Sequence, residues 1–213
     1  MHVSTTCAKV GDAPANWRHE RWALAHGYRI IAGLDEAGRG PWAGPVVAAA
    51  VVVRKPLFQV RIDDSKRLSP HQRLRAYTAI WQQAHVGVGL ASHAAIDATN
   101  ILIATQQAMR HALANLRITP HFVLVDGIIP QLTDMPQRCL IAGERQSLSI
   151  ACASIVAKVT RDHLMAFYHR LFPVYEFARH KGYGTALHRH RLQRFGPSPL
   201  HRLSFRPVTE WAG

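Results

Sequence analysis

Acid is scarce in this chain. Among 213 residues, 13 Asp and Glu stand against 26 Lys and Arg, a formal net charge of +13 with the 14 histidines neutral. Cysteine is scarcer still. Cys7, Cys139 and Cys152 are odd in number, far apart and form no CxxC. That pattern excludes a disulfide framework and a cysteine zinc site, and it fits a reducing cytoplasm. Long apolar runs are missing too. The longest, Trp42 to Val53, is about twelve residues and holds Gly44 and Pro45, whereas a membrane span needs roughly twenty. The first residues contain no apolar segment of the secretory kind, so no leader is expected. There is no HExxH, so most of the histidines read as surface or phosphate-facing groups rather than zinc ligands.

What remains is a basic chain with an ordinary apolar content of 48%, which excludes wholesale disorder. Its size suits one compact domain, or one domain and a small appendage. The charge asks for a polyanionic partner, nucleic acid before an anionic membrane. The final segment states this most strongly. From Phe177 to Thr209 there are seven Lys or Arg, four His and no acid.

The pattern along the chain predicts one α/β domain. Residues 1 to about 27 show no strong period and read as a loosely ordered arm or a short helix leading into the core. Arg29–Leu34 reads as a short buried strand, followed by the turn-rich AGRGPWAGP. Val46–Val53 is a Val/Ala run typical of a strand buried on both faces. Ser69-Pro70 opens a helix to about Ala84, with Ser as cap and Pro in the first turn. Val86–Leu90 is a third strand, Asp97–Leu116 a helix, Phe122–Val125 a fourth strand and Cys139–Ala142 a fifth. Ser147 to about Leu171 is a long helix. No internal repeat and no flexible linker interrupts this order.

In so basic a chain the acids stand out. Asp35 and Asp126 each follow an apolar strand and precede a glycine-containing turn. In open α/β sheets, functional groups gather beyond the carboxyl ends of strands. Glu36 and Glu144 are placed to join them. Converging carboxylates raise one another's pKa unless a cation offsets the charge. Oxygen ligands favour Mg²⁺ or Mn²⁺, and on a basic protein the matching chemistry is two-metal hydrolysis of a phosphodiester. Neighbours in a regular strand point to opposite faces. Asp35 and Glu36 therefore share a site only if the strand distorts or Glu36 acts from the side. Read singly, each Asp-Gly is equally a turn or cap.

Several blocks together carry more. Ala32–Pro41 (AGLDEAGRGP) continues into Gly44–Ala50 (GPVVAAA). Asp64-Ser65-Lys66, Val125-Asp126-Gly127, Ala153–Asp162 (ASIVAKVTRD), His180–Tyr183 (HKGY) and His201–Phe205 (HRLSF) follow in order. This set, over roughly residues 30 to 208, resembles type 2 bacterial ribonuclease H, the ribonuclease HII family. The resemblance implies a ribonuclease H-like mixed sheet flanked by helices, with a helical C-terminal segment. It implies a catalytic domain over 29–213 preceded by an arm over 1–28. It implies cleavage of RNA in RNA–DNA hybrids and incision 5′ of single ribonucleotides in duplex DNA, leaving 5′-phosphate and 3′-hydroxyl ends. Two divalent cations, Mg²⁺ or Mn²⁺, would be held by Asp35, Glu36, Asp126 and Glu144. The family's commonest residue at the last position is Asp, so Glu144 is one methylene longer. The Gly38-Arg39-Gly40 turn would meet the ribose 2′-hydroxyl, and Tyr183 would stack on the sugar of the next deoxynucleotide. Arg39, Ser65 and Lys66 would hold phosphates.

The expected partners are RNA–DNA hybrid and ribonucleotide-containing duplex, met by a cytoplasmic monomer without a membrane. A non-catalytic duplex-binding protein on the same fold is the alternative, and the acid cluster argues against it. Ribonuclease HIII, a relative, usually adds an N-terminal domain for which the residues before Arg29 are too few. Asp162 reads as a helix-surface ion pair, Trp42 as packing and Asp63 as structural.

Overall fold

The computed structural model describes residues 16–211. Of the arm expected over residues 1–28, residues 1–15 lie outside that range. The chain opens on α1 (Arg18–Ala25), then β1 (Ile31–Ala37) and β2 (Val46–Val53), α2 (Pro70–Gln83) and β3 (Ala84–Ala91). Two helices follow, α3 (His93–Ala98) and α4 (Ile101–Ala114), before β4 (Phe122–Asp126) and β5 (Gln137–Leu140). A 3-10 turn, Gly143–Arg145, leads to α5 (Leu148–Leu171). The basic C-terminal segment carries three short helices: α6 (Phe177–His180), α7 (Ala186–Phe195) and α8 (Arg206–Thr209).

The five strands form one mixed sheet in the order β3-β2-β1-β4-β5. β1 pairs antiparallel with β2 and parallel with β4; β2–β3 is antiparallel and β4–β5 parallel. Helices cover both faces, which is why β2 reads as an unbroken apolar run. Alternate residues divide between two cores. Ala32, Leu34, Val46, Ala48 and Ala50 meet Ala104, Ala108 and Met109 of α4. Ala49, Val51 and Val53 meet Cys152, Ala153 and Val156 of α5 and Ile80 of α2. A separate cluster of Ala43, Met165, Tyr175, Phe177 and Leu200 fixes the C-terminal helices against α5.

Capping chemistry decides the helix starts. Ser69 caps α2 through Gln72 N, and the Gln72 side chain returns to Ser69 N at 2.9 Å, a reciprocal capping box. The helix expected over 97–116 is broken in two. Asn100 takes an extended conformation and accepts from Ile103 N at 2.9 Å, starting α4 afresh. Asp97 is thereby freed to accept from the backbone N–H of Leu203 and Ser204, both at 2.9 Å. The fifth strand starts and ends earlier than expected. It stops at Leu140, because Ala142 adopts a left-handed conformation with φ of 52°.

Residues 18–25 realise the short-helix reading of the N-terminal stretch. Glu20 of α1 is fully buried and accepts from Ser147 Oγ at 2.6 Å and Ser149 N at 2.9 Å, so α1 caps the start of α5. Among the described residues, no helix is long and apolar enough to cross a membrane.

Candidate active site

The parallel pair Leu34–Val125 is the last in the β1–β4 register. It leaves the next residues, Asp35 and Asp126, side by side at the carboxyl ends of two neighbouring strands. A cleft of about 480 Å³ opens there. Its lining includes all ten residues singled out from the sequence: Asp35, Glu36, Gly38, Arg39, Gly40, Ser65, Lys66, Asp126, Glu144 and Tyr183. Ala37 of β1 and, one turn apart on α5, Ser154 and Lys158 complete it.

β1 does not distort to bring Asp35 and Glu36 together. It stays paired with β2 through Ala37. Asp35 shares the face of the sheet that packs on α5, and Glu36 the face of Leu34. Both line the cleft because it wraps the end of the sheet rather than one face. Asp35 is buried, and its Oδ1 accepts from Glu36 N at 2.7 Å. Glu36 pairs with Arg39 at 3.3 Å.

Asp126 is held by the 3-10 turn that carries Glu144. Gly143 N donates to Asp126 Oδ1 at 2.7 Å. A Cβ at position 143 would meet Ile150 Cδ1 at 2.7 Å and Asp126 Oδ1 at 3.2 Å, so any larger residue there would push on the Ile150 side chain and crowd the carboxylate. Asp64 shapes the opposite wall. Its Oδ1 accepts from Lys66 N at 2.9 Å, an Asx turn that presents Ser65 and Lys66 to the cleft. Asp63 is structural, as expected, paired with Arg61 and Arg67.

Electrostatics separate these acids from ordinary surface carboxyls. Burial holds Asp35 well above the usual carboxylate range, and the charges of Glu36 and Asp126 add to it. Burial also raises Glu36, against the pull of Arg39. Glu144 is raised by burial and then by Asp126 and Asp64, with Lys66 opposing. Two carboxylate oxygens of the cleft, Glu36 Oε2 and Glu144 Oε2, are buried without a hydrogen-bond partner. Orphaned acceptors on mutually repelling acids are the donor set a hard divalent cation satisfies. Among the described residues, no three acid, His or Cys side chains are already gathered into a metal cage.

Two buried arginines shape the Gly38-Arg39-Gly40 turn, and sequence reasoning passed over both. Arg202 donates to Gly38 O at 2.6 Å, Arg39 O at 2.8 Å and Gly44 O at 2.9 Å. Arg161 donates to Pro45 O, Ala43 O and Lys181 O at 2.9, 3.1 and 2.9 Å. Neither guanidinium has a carboxylate partner among the described residues; backbone carbonyls take its hydrogen bonds. Gly38 has φ of 98°, and a Cβ there would lie 2.1 Å from Arg161 Nε. The available signal was the position of both arginines inside the family-like blocks ASIVAKVTRD and HRLSF. Asp162 is an ion-pair residue as expected, 2.7 Å from Lys158 Nζ. Trp42 packs flat under Gly184 and near His188.

The family profile of Ribonuclease HII matches residues 32–208. The ribonuclease HII of Geobacter sulfurreducens is 51% identical over 212 residues, 99% of this chain and 98% of that protein. The chain belongs to the ribonuclease HII family. Ribonuclease HII is a hydrolase, an endoribonuclease acting on RNA in RNA–DNA hybrids, and that is the activity of this chain. The fold agrees. The crystal structure of ribonuclease H2 from Pyrococcus horikoshii OT3 superposes with a TM-score of 0.72 at 22% identity, covering 86% of this chain and 97% of that one. An RNase HIII crystallised with Mn²⁺, Bst-RNase HIII, gives a TM-score of 0.68 at 19% identity, covering 85% of this chain and 68% of that one. The sheet is therefore ribonuclease H-like, and the acid-lined cleft lies at the carboxyl ends of its central strands.

Proposed function

We propose that this cleft incises duplex DNA 5′ of a single embedded ribonucleotide, as well as cutting continuous hybrids, and leaves 5′-phosphate and 3′-hydroxyl ends. One observation carries the reading: Asp35, Glu36, Asp126 and Glu144 line the same cleft as the Gly38–Gly40 turn and Tyr183. The four acids would hold two divalent cations, Mg²⁺ or Mn²⁺. Bound there, such a pair supplies an activated water and stabilisation of the leaving 3′ oxygen. The chain's own residues do the rest. Gly40 has no atom within 4 Å of where a Cβ would stand, so a sugar can approach the turn closely. Arg202 ties back the turn's carbonyls and leaves its N–H groups free for a 2′-hydroxyl. Ser65, Lys66 and Arg39 hold flanking phosphates. Tyr183, 41% exposed, offers its ring to the following deoxyribose.

The reading takes residues 29–213 as one catalytic domain, acting as a monomer in the cytoplasm on ribonucleotide-containing duplex. The test is a DNA duplex with one internal ribonucleotide, incubated with Mg²⁺ or Mn²⁺ beside an all-DNA control. Incision on the 5′ side of the ribonucleotide alone is expected. An uncut ribonucleotide duplex, with continuous hybrid cut normally, overturns the single-ribonucleotide reading.

A further inference from the structure

Behind Tyr183 lies a chain of buried histidines that the proposed chemistry does not use. His188 and His201 are buried in the core, with His180 beside them, stacked on His188 with ring centroids 4.2 Å apart. His188 Nε2 and His201 Nε2 are 3.0 Å apart. The backbone at each end assigns every proton. Ser198 N donates to His201 Nδ1 at 2.8 Å, so His201 carries its proton on Nε2. At the other end, His188 Nδ1 lies 3.0 Å from Tyr183 O, an acceptor only, so His188 carries its proton on Nδ1. The Nε2–Nε2 contact is then a donor meeting an acceptor. The two assignments come from opposite ends and agree. His180 is set the same way: Gly182 N donates to its Nδ1 at 3.1 Å, and its Nε2 donates to Tyr175 O at 2.7 Å.

The chain terminates on a residue that needs support. Tyr183 sits between α6 and α7 outside any strand or helix; among the described residues its carbonyl accepts from His188 and from Thr185 N, the latter at 2.8 Å. The far end of the chain is anchored next to the other half of the cleft. His201 bridges Ala43, and the adjoining Arg202 holds the carbonyls of Gly38 and Arg39. Trp42 N donates to Gly182 O at 2.8 Å and Trp42 O accepts from Arg202 N at 2.8 Å. One dipeptide, His201-Arg202, thus fixes both the glycine turn and, through His188, the backbone of Tyr183.

We propose that His188 and His201 are positioning residues that hold Tyr183 in register with the Gly38–Gly40 turn, and so set the preference for a ribonucleotide-to-deoxyribonucleotide junction over continuous RNA. This rests on the reading of Tyr183 given above. Neither histidine lines the cleft, so neither is a catalytic residue.

The measurement is the ratio of kcat/KM on a single-ribonucleotide duplex to that on continuous hybrid. His188→Leu lowers this ratio about three- to tenfold, the scale of one lost hydrogen bond, chiefly through KM on the junction substrate. His188→Asn, whose side-chain amide N–H replaces the Nδ1 donor, restores the ratio. On a Tyr183→Ala background, His188→Leu causes no further loss. An unchanged ratio in folded His188→Leu, or an equal loss on both backgrounds, overturns the proposal. An unchanged ratio in Tyr183→Ala alone removes the reading of Tyr183, and the proposal with it. If His188→Leu fails to fold, ¹⁵N spectra of the intact protein decide. The proton is expected on Nδ1 of His188 and Nε2 of His201, and the opposite tautomer of either overturns the chain.

Discussion

Of the four carboxyls held above their ordinary range, Glu20, Asp35, Glu36 and Glu144, Asp35 is raised furthest, by burial first and by Glu36 and Asp126 next. Its ionisation therefore opposes folding. The stability it withholds is lost as pH rises from the ordinary 3.8 through its folded value. Asp35→Asn removes that cost along with the charge. In chelator at pH above neutrality, the variant should melt a few degrees above the parent, since about 1 kcal/mol corresponds to about 2–4 °C in a chain of this size. Mn²⁺ should stabilise the parent and not the variant. Cleavage should fall by more than about a hundredfold, beyond the loss typical of an outer metal partner. A variant that melts lower than the parent in chelator, or that cuts normally, contradicts the electrostatic account of this site. Thermal melts with and without metal, and single-turnover cleavage, measure these outcomes.

At the scale of elements, the site depends on where helices begin. Ser69 and Ser147 occupy equivalent cap positions on α2 and α5 but do different amounts of work. Ser69 closes an exposed capping box. Ser147 is fully buried, donates to Glu20 and accepts from Ile150 N at 3.1 Å, just after the turn that carries Glu144. Ser69→Ala should cost about 1 kcal/mol. Ser147→Ala should cost about 2–3 kcal/mol, because the buried Glu20 carboxyl also loses one of its two hydrogen-bond donors. It should lower activity as well, by loosening Glu144, while Ser69→Ala leaves activity alone. Denaturant midpoints and steady-state rates separate the two. The strands and the long helix were legible as apolar runs between turn signals. The break at Asn100 was not, since the apolar face of α4 continues across it and the deciding contact, Asp97 with Leu203 and Ser204, spans more than 100 residues.

Over the whole molecule, the scarce acids divide into a few tasks. Four line the cleft. Asp63, Asp162 and Glu176 neutralise nearby bases, Asp97 binds backbone N–H groups, and Glu20 caps α5. The excess of base is left to face solvent and a polyanion. Histidines add a pH limit to the fold. Burial lowers His188 to about 3 and His201 to about 4, with His180 lowered too. The unfolded chain binds these protons near the ordinary value of 6.5 while the folded chain does not. Stability is therefore constant from this source above about pH 6.5 and falls as pH drops toward 4, by about 1 kcal/mol per group per pH unit. His188→Asn and His201→Asn should flatten that fall, as read by denaturation at a series of pH values. An unchanged slope in both variants counts against burial as its cause.

The sequence by itself determined the membership, the sheet's central strands and the identity of every acid that the cleft gathers. Apolar runs, glycine turns and charged blocks are local, and local order is what a sequence displays. How Asp35 and Glu36 reach one cleft without distorting β1 was decided only in three dimensions, because the cleft wraps the sheet's end. The same holds for Arg161, Arg202, Glu20 and the histidine chain. Each is polar and buried, and the fold supplies its partners: backbone carbonyls remote in sequence for Arg161 and Arg202, Ser147 and Ser149 for Glu20, and His201 against His188 in the chain. Burial turns such residues from solvated surface into structure, and burial exists only once the chain has folded.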